Sequence, residues 1–219
     1  MMFNPIDMDN WNRKPYFEHY VNHVRCSYSI TADVDITELR AELKRLGVKL
    51  YPAFIHMITT VVNRHGEFRT CYDSQGRLGI WSQMSPSFTI LNEETKTFSS
   101  IWTPFSEDFR TFYECYLQET ETYKNAKQLF PASNEPPNTF PISGIPWVSF
   151  TGFNLNIYTG GTYLLPIFTI GKYRWQGEQL LLPVAAQFHH AVCDGYHAGV
   201  FFQELQQLAA GCNSWLFSK

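Results

Sequence analysis

Phe188-His189-His190-Ala191-Val192-Cys193-Asp194-Gly195 joins the end of one apolar run to the start of another. Upstream, Leu180-Leu181-Leu182-Pro183-Val184-Ala185-Ala186-Gln187 has the continuous apolar character of a buried strand. Downstream, His197 to Leu205 carries its apolar residues at helical spacing. A strand, a tight turn closed by an Asp-Gly pair, and a helix make a unit of an α/β protein. Histidine exchanges a proton near neutral pH, and a strand end holds it out from a rigid support. The pattern suits general-base catalysis on a hydroxyl, thiol or amine.

Side chains alternate along a strand, so Val184, Ala186, Phe188 and His190 share one face while Ala185, Gln187 and His189 share the other. The two histidines therefore point opposite ways. His190 is the candidate base and His189 a structural residue, although a satisfied structural histidine would give the same pattern at position 190. A metal set of His189, His190, Asp194 and His197 would need both histidines on one side of the strand, and neither paired cysteines nor an H-E-x-x-H helix supports it. Cys193 as a nucleophile conflicts with its apolar setting. Asp194 reads either as an orienter of the imidazole or as a structural anion. No Lys or Arg lies nearby, so its partner must come from far along the chain. G-x-S-x-G, P-loop and G-x-G-x-x-G patterns are absent.

Working outward, the periodicity predicts a strand over 22–35 and a helix capped by Thr37, carrying Leu39, Leu43 and Leu46 and ended by Gly47. A second helix over 52–64 is apolar nearly all round, which predicts burial. Short strands follow at 67–72, 77–82, 87–92 and 97–103, with a hairpin turn at 73–76. A long helix is expected from Ser106 to about Leu129, with Phe109, Phe112, Tyr113, Tyr116 and Leu117 as its apolar stripe. Residues 131–141 read as a loop and 142–150 as a strand. A hairpin of strands 163–174 and 179–190 precedes a last helix over about 195–210. The expected architecture is a two-layer α/β sandwich, a mixed β-sheet covered by helices, in a single domain over 1–219.

Aromatic residues form 16% of the 219 positions, with 18 Phe, 12 Tyr and 6 Trp. Either an aromatic core or a ring-rich pocket or interface would account for them. A net charge of −3 without a basic stripe argues against nucleic acid as a partner. The five scattered cysteines, Cys26, Cys71, Cys115, Cys193 and Cys212, read as reduced thiols. The first residues lack a basic flank and an apolar segment, and no run approaches ~20 apolar residues, so a cytoplasmic protein is expected.

His189-His190-Ala191-Val192-Cys193-Asp194-Gly195-Tyr196-His197 resembles the active-site signature of the chloramphenicol acetyltransferase family. Three further blocks resemble that family in order: Trp11 to Tyr20, Ile142-Ser143-Gly144-Ile145-Pro146-Trp147, and Phe153-Asn154-Leu155-Asn156. The H-H-x-x-x-D-G core alone is shared by several coenzyme A acyltransferase families; four blocks in order are more specific. The resemblance implies a CoA-dependent acyltransferase-like fold assembled as a homotrimer, with each site at a subunit boundary. It implies that His190 takes a proton from the primary hydroxyl of chloramphenicol as that oxygen attacks the thioester of acetyl-CoA, with both substrates bound together. Ser143 would donate to the tetrahedral oxyanion. Asp194 would pair with Arg13 as structural support for the site.

By the same resemblance, the antibiotic pocket maps onto Tyr20, Cys26, Thr89, Phe98, Leu155 and Thr169. Coenzyme A contacts map onto Trp147, Tyr173, Lys49 and Lys172. No metal is implied, and the co-substrate is acetyl-CoA. The 131–139 loop matches nothing identifiable. Rival acceptors are another small alcohol or a lipoyl thiol, since a few pocket side chains set the choice. A non-catalytic binder would need the base or the serine to be missing, and His190 and Ser143 are both present.

Overall fold

A computed structural model of the chain describes residues 1–155, 157 and 163–217. Its centre is a mixed sheet built from β2 (Ser27–Asp35), β5 (Ser85–Leu91), β6 (Phe98–Trp102), β7 (Thr139–Gly144), β8 (Ile167–Ile170), β9 (Arg174–Gln176) and β10 (Gln179–His189). The order is β2-β10-β8-β7-β5-β6, with β9 pairing the start of β10. The pairs β5–β7 and β7–β8 are parallel and the other pairs antiparallel. A small antiparallel sheet joins β1 (Phe3–Pro5), β4 (Leu78–Trp81) and β3 (Thr70–Tyr72).

Helices α2 (Thr37–Leu46), α3 (Leu50–Arg64), α4 (Phe109–Tyr123) and α5 (Gly195–Ala210) pack on the large sheet. The sheet face carrying Phe88, Ile142, Phe168, Val184, Ala186 and Phe188 is buried in the core. Phe201 of α5 stacks on Phe168 at 4.7 Å between ring centroids and meets Phe188 edge-on. Nine of the 18 phenylalanines are fully buried, which favours the aromatic-core reading of the composition. Trp147, Trp175, Tyr196 and Phe98 remain exposed. The sandwich expected from the sequence is thus the observed arrangement, although several element bounds differ.

The N-terminal part of the expected 22–35 strand is a π-helical turn at His19–His23, continuing α1 (Lys14–Glu18). Arg25, at φ +48°, breaks it before β2 begins. Asp35, and not Thr37, supplies the oxygen that heads α2: its carboxylate accepts from the Thr37 amide at 2.9 Å. Gly47 closes α2 at φ +70°, a left-handed position suited to glycine. The first part of the expected 67–72 strand is a 3-10 turn at Gly66–Arg69.

Asp108, two residues later than expected, caps α4 through the Thr111 amide, and the helix ends at Tyr123. Leu117 is exposed, so the buried stripe is Phe109, Phe112 and Tyr116. Strand β7 begins inside the expected loop and stops at Gly144, where Pro146 ends the ladder. The expected 163–174 strand is two pieces separated at Gly171. A Cβ there would lie 2.7 Å from Phe150 and 2.8 Å from Pro183, so the close approach requires glycine.

Candidate active site

Strand β10 runs between β2 and β8 and delivers the two histidines at its end. His189 is buried, and its Nδ1 accepts a hydrogen bond from the Ala191 amide at 3.1 Å, the structural role expected of it. His190 lies just past the strand, its amide donating to the Cys26 carbonyl at 2.8 Å. Its half-buried ring stacks on Tyr20, with centroids 4.1 Å apart and planes 7° from parallel. Tyr28 meets the other side edge-on at 5.3 Å. His190 Nδ1 is buried and takes no hydrogen bond among the described residues.

The turn after His190 is anchored from the far end of the chain. Arg13 donates from Nη1 to Asp194 Oδ2 at 3.0 Å, from Nε to the Ala191 carbonyl at 3.0 Å, and from Nη2 to the His190 carbonyl at 3.2 Å. One guanidinium thus fixes the backbone carbonyls of the candidate base and of the residue after it, a geometry lysine cannot copy. This is the distant cation that the local sequence lacked. Asp194 also caps α5, accepting from the Tyr196 amide at 3.2 Å. Burial resists ionisation of this carboxyl, but the hydrogen bond from Arg13 and the neighbouring His197 outweigh it. The pKa therefore lies below the usual carboxylate range. Burial pushes the Cys193 thiol well up, which disfavours the thiolate a nucleophile needs. Among the described residues no group of three or more His, Cys, Asp or Glu side chains is disposed to hold a metal ion.

Ser143 belongs to a different place. The pairings Thr89–Ser100 on β5–β6, Ser143–Thr169 on β7–β8 and Thr169–Ala185 on β8–β10 set these residues in one row across the sheet. They lie on the face opposite the phenylalanines. Ser143 Oγ is 3.1 Å from Thr169 Oγ1. Leu155 and Phe153 line a small hollow over Thr169 and Ala185, and Phe98 stands exposed at the far end of β6. Asn156, the last residue of the fourth sequence block, lies outside the described residues.

The residues assigned to the antibiotic therefore divide. Tyr20 and Cys26 sit against His190; Thr89, Thr169, Leu155 and Phe98 go with Ser143. Ser143 is level with Ala185, five residues before His190 along β10 and two strands away. At ~3.4 Å per residue and ~4.8 Å per strand, these two groups are roughly 19 Å apart within one chain.

The residues assigned to coenzyme A gather at the end of β7. The Lys172 amide donates to the Val148 carbonyl, which sets Lys172 and Tyr173 beside the exposed Trp147. Lys49 heads α3, and Tyr51 of that helix donates to the Ile142 carbonyl at 3.3 Å. Sequence reasoning missed Tyr28 as a wall of the His190 site. Its only signal was a place on β2 opposite Phe188, which becomes visible once the β2–β10 register is known.

A solved structure described as chloramphenicol acetyltransferase superposes with a TM-score of 0.89 at 23% identity, covering 95% of this chain and 100% of that one. The catalytic dihydrolipoamide acetyltransferase of Azotobacter vinelandii superposes with a TM-score of 0.65 at 17% identity, covering 88% and 84%. These likenesses place the chain in one fold class with both solved acetyltransferases. Within that class, the family model described as chloramphenicol acetyltransferase matches residues 1–206. A chloramphenicol acetyltransferase of Clostridium perfringens is 56% identical over 219 residues, the whole of both chains. One of Staphylococcus aureus is 49% identical over 99% of this chain and 100% of its own. The chain belongs to the chloramphenicol acetyltransferase family.

Proposed function

We propose that this chain transfers an acetyl group from acetyl-CoA to the primary hydroxyl of chloramphenicol, a modification that confers resistance to the drug. His190 acts as general base. Its Nδ1 is sealed, so the proton exchange runs through Nε2. That nitrogen takes the hydroxyl proton as the oxygen attacks the thioester carbonyl, then returns it to the departing CoA sulfur. No acyl-enzyme forms, and holding both substrates in one ternary complex supplies a further large part of the rate. The observation that carries this reading is the anchoring of His190: ring stacked on Tyr20, carbonyl held by Arg13.

Ser143 stabilises the oxyanion. Their 3.1 Å contact lets Thr169 act as donor to Ser143 Oγ, the direction this role requires, since it leaves the serine proton for the tetrahedral oxygen. Since His190 and Ser143 lie roughly 19 Å apart along one chain, the complete site forms between two copies. His190, Tyr20 and Cys26 come from one subunit, and Ser143, Thr89, Phe98, Leu155 and Thr169 from its neighbour. The assembly is a homotrimer of single-domain chains in the cytoplasm. Trp147, Tyr173, Lys49 and Lys172 bind coenzyme A on the same side as Ser143.

Thiol release from acetyl-CoA, with and without chloramphenicol, tests the activity: properly folded protein without drug-dependent turnover refutes it. The shared site has its own test. His190→Ala and Ser143→Ala chains are each inactive alone, but co-refolded together they regain about a quarter of wild-type activity, because one boundary in four joins two intact halves. A mixture as inactive as its parents overturns the two-subunit site.

A further inference from the structure

Beyond Arg13, a second side chain closes on Asp194. His197, in the first turn of α5, places Nδ1 2.8 Å from Asp194 Oδ1 and 3.2 Å from the Asp194 amide nitrogen. One ring nitrogen cannot donate to the carboxylate and accept from the amide at once. The shorter contact, to the anionic oxygen, assigns the proton to Nδ1. Its other nitrogen, Nε2, faces Glu67 Oε1 at 3.7 Å, across the 3-10 turn that precedes β3. His197 and Glu67 border a cleft of about 410 Å³ that Arg13, Trp11 and Val192 also line. This cleft opens behind the turn, and none of the residues assigned to drug or coenzyme A lines it. Among the described residues the hydrogen bonds of His197 run to Asp194, which links it to the turn that carries His190.

We propose that His197 is a positioning residue for the acetyl transfer, an inference that rests on the function proposed above. Arg13 grips Oδ2 of Asp194 and His197 grips Oδ1, so the carboxylate cannot rotate about its Cβ–Cγ bond. A rotating carboxylate would draw the Arg13 guanidinium off the His190 and Ala191 carbonyls, and the base would lose its alignment with the hydroxyl. The turn is thus clamped from both sides, by one cation from the N-terminal segment and one imidazole from α5.

The experiment compares His197→Asn, which keeps an N–H donor at the δ position, with His197→Leu, which has nearly the same shape and no donor, and with His197→Ala. For Leu and Ala we expect kcat to fall about tenfold, the loss of one hydrogen bond to a charged group, with KM for both substrates within twofold of wild type. His197→Asn should recover at least a third of wild-type kcat. Equal loss in Asn and Leu variants, or a Leu variant with unchanged kcat, overturns the proposal. So does a rise in KM at constant kcat. If His197→Ala does not fold, the Asn and Leu pair still decides. A wild-type protein without drug-dependent turnover would instead overturn the function on which this rests.

Discussion

The C-terminal ends of β10 and β7 serve the same proposed reaction but are built by opposite means. Around His190 the chain uses charge, ring stacking and contacts spanning most of its length: Tyr20 on the ring, Arg13 on its carbonyl, Asp194 and His197 behind. Around Ser143 it uses neutral hydroxyls on neighbouring strands, with Thr169 set by register alone. A general base changes charge during the reaction, and its ring must hold its orientation while it does so, which demands anchoring outside the strand. An oxyanion donor needs only a fixed position, and the pleated ladder already provides one. A net charge beside the serine would alter the field at the oxyanion, and none of the other four residues in its row, Thr89, Ser100, Thr169 and Ala185, carries one.

The largest effect should come from the base. His190→Ala is expected to lower kcat by ~10²–10⁴-fold, the usual contribution of a positioned base, with drug and coenzyme affinities and the oligomer preserved. Retention of more than about a tenth of the rate would mean that the stacked imidazole is structural, and the contrast between the two regions would disappear. Ser143→Ala should cost roughly 10²–10³-fold in kcat, equivalent to ~2.7–4 kcal/mol, without a change in thermal stability, because Thr169 keeps its ladder place. A marked fall in melting temperature would show that the hydroxyl pair holds the sheet together and is not free for substrate.

Arg13 should behave differently from both, losing stability and rate together. Removing one partner of a buried ion pair costs ~3–5 kcal/mol, but the Asp194 side chain is 36% exposed, so about 2 kcal/mol is expected for Arg13→Ala. Arg13→Lys should recover part of that stability and little of the rate, because an ammonium cannot reach three separate acceptors. Thermal melts and kcat measured on the same preparations separate the two quantities. A lysine variant with full activity would reduce Arg13 to a simple counter-charge.

This contrast also explains what the sequence made legible. The apolar run of β10, the turn and α5 are consecutive, so local periodicity picked out the candidate base and its strand, and the helices followed from their spacing. Ser143 alone would read as a strand serine before a proline bend; only its block of neighbouring residues distinguished it. The Arg13–Asp194 pair spans most of the chain and no local pattern contains it, so it entered through resemblance. Tyr28 was overlooked and His197 was weighed only as a metal ligand, because their roles depend on strand register and on which helix side faces the turn. Strand ends were misjudged where tertiary contacts override pattern, as at Gly171, pinched between Phe150 and Pro183.

The smallest expected effect lies in the acid limb of stability. The folded-state pKa of Asp194 is below the ordinary carboxylate value, so the native state favours its ionised form. The stability this confers is complete above the unfolded pKa of ~3.9 and is lost as pH falls through the folded value. Asp194→Asn removes that contribution at every pH. The difference in stability between wild type and this variant should therefore shrink as pH falls below about 4. Other carboxylates with lowered values, Asp35, Asp108 and Glu204 among them, are present in both proteins and cancel in the difference. Ser143→Ala supplies the control from the uncharged region: its difference from wild type should not vary with pH, since neither hydroxyl titrates. Denaturant melts between pH 3 and 7 at one fixed ionic strength, since salt screens a partly buried pair less than an exposed one, read both differences directly. A gap for Asp194→Asn that stays constant to pH 3 would show that the carboxylate works as a neutral hydrogen-bonding cap for α5, and the charged character assigned to the His190 region would then rest on Arg13 alone.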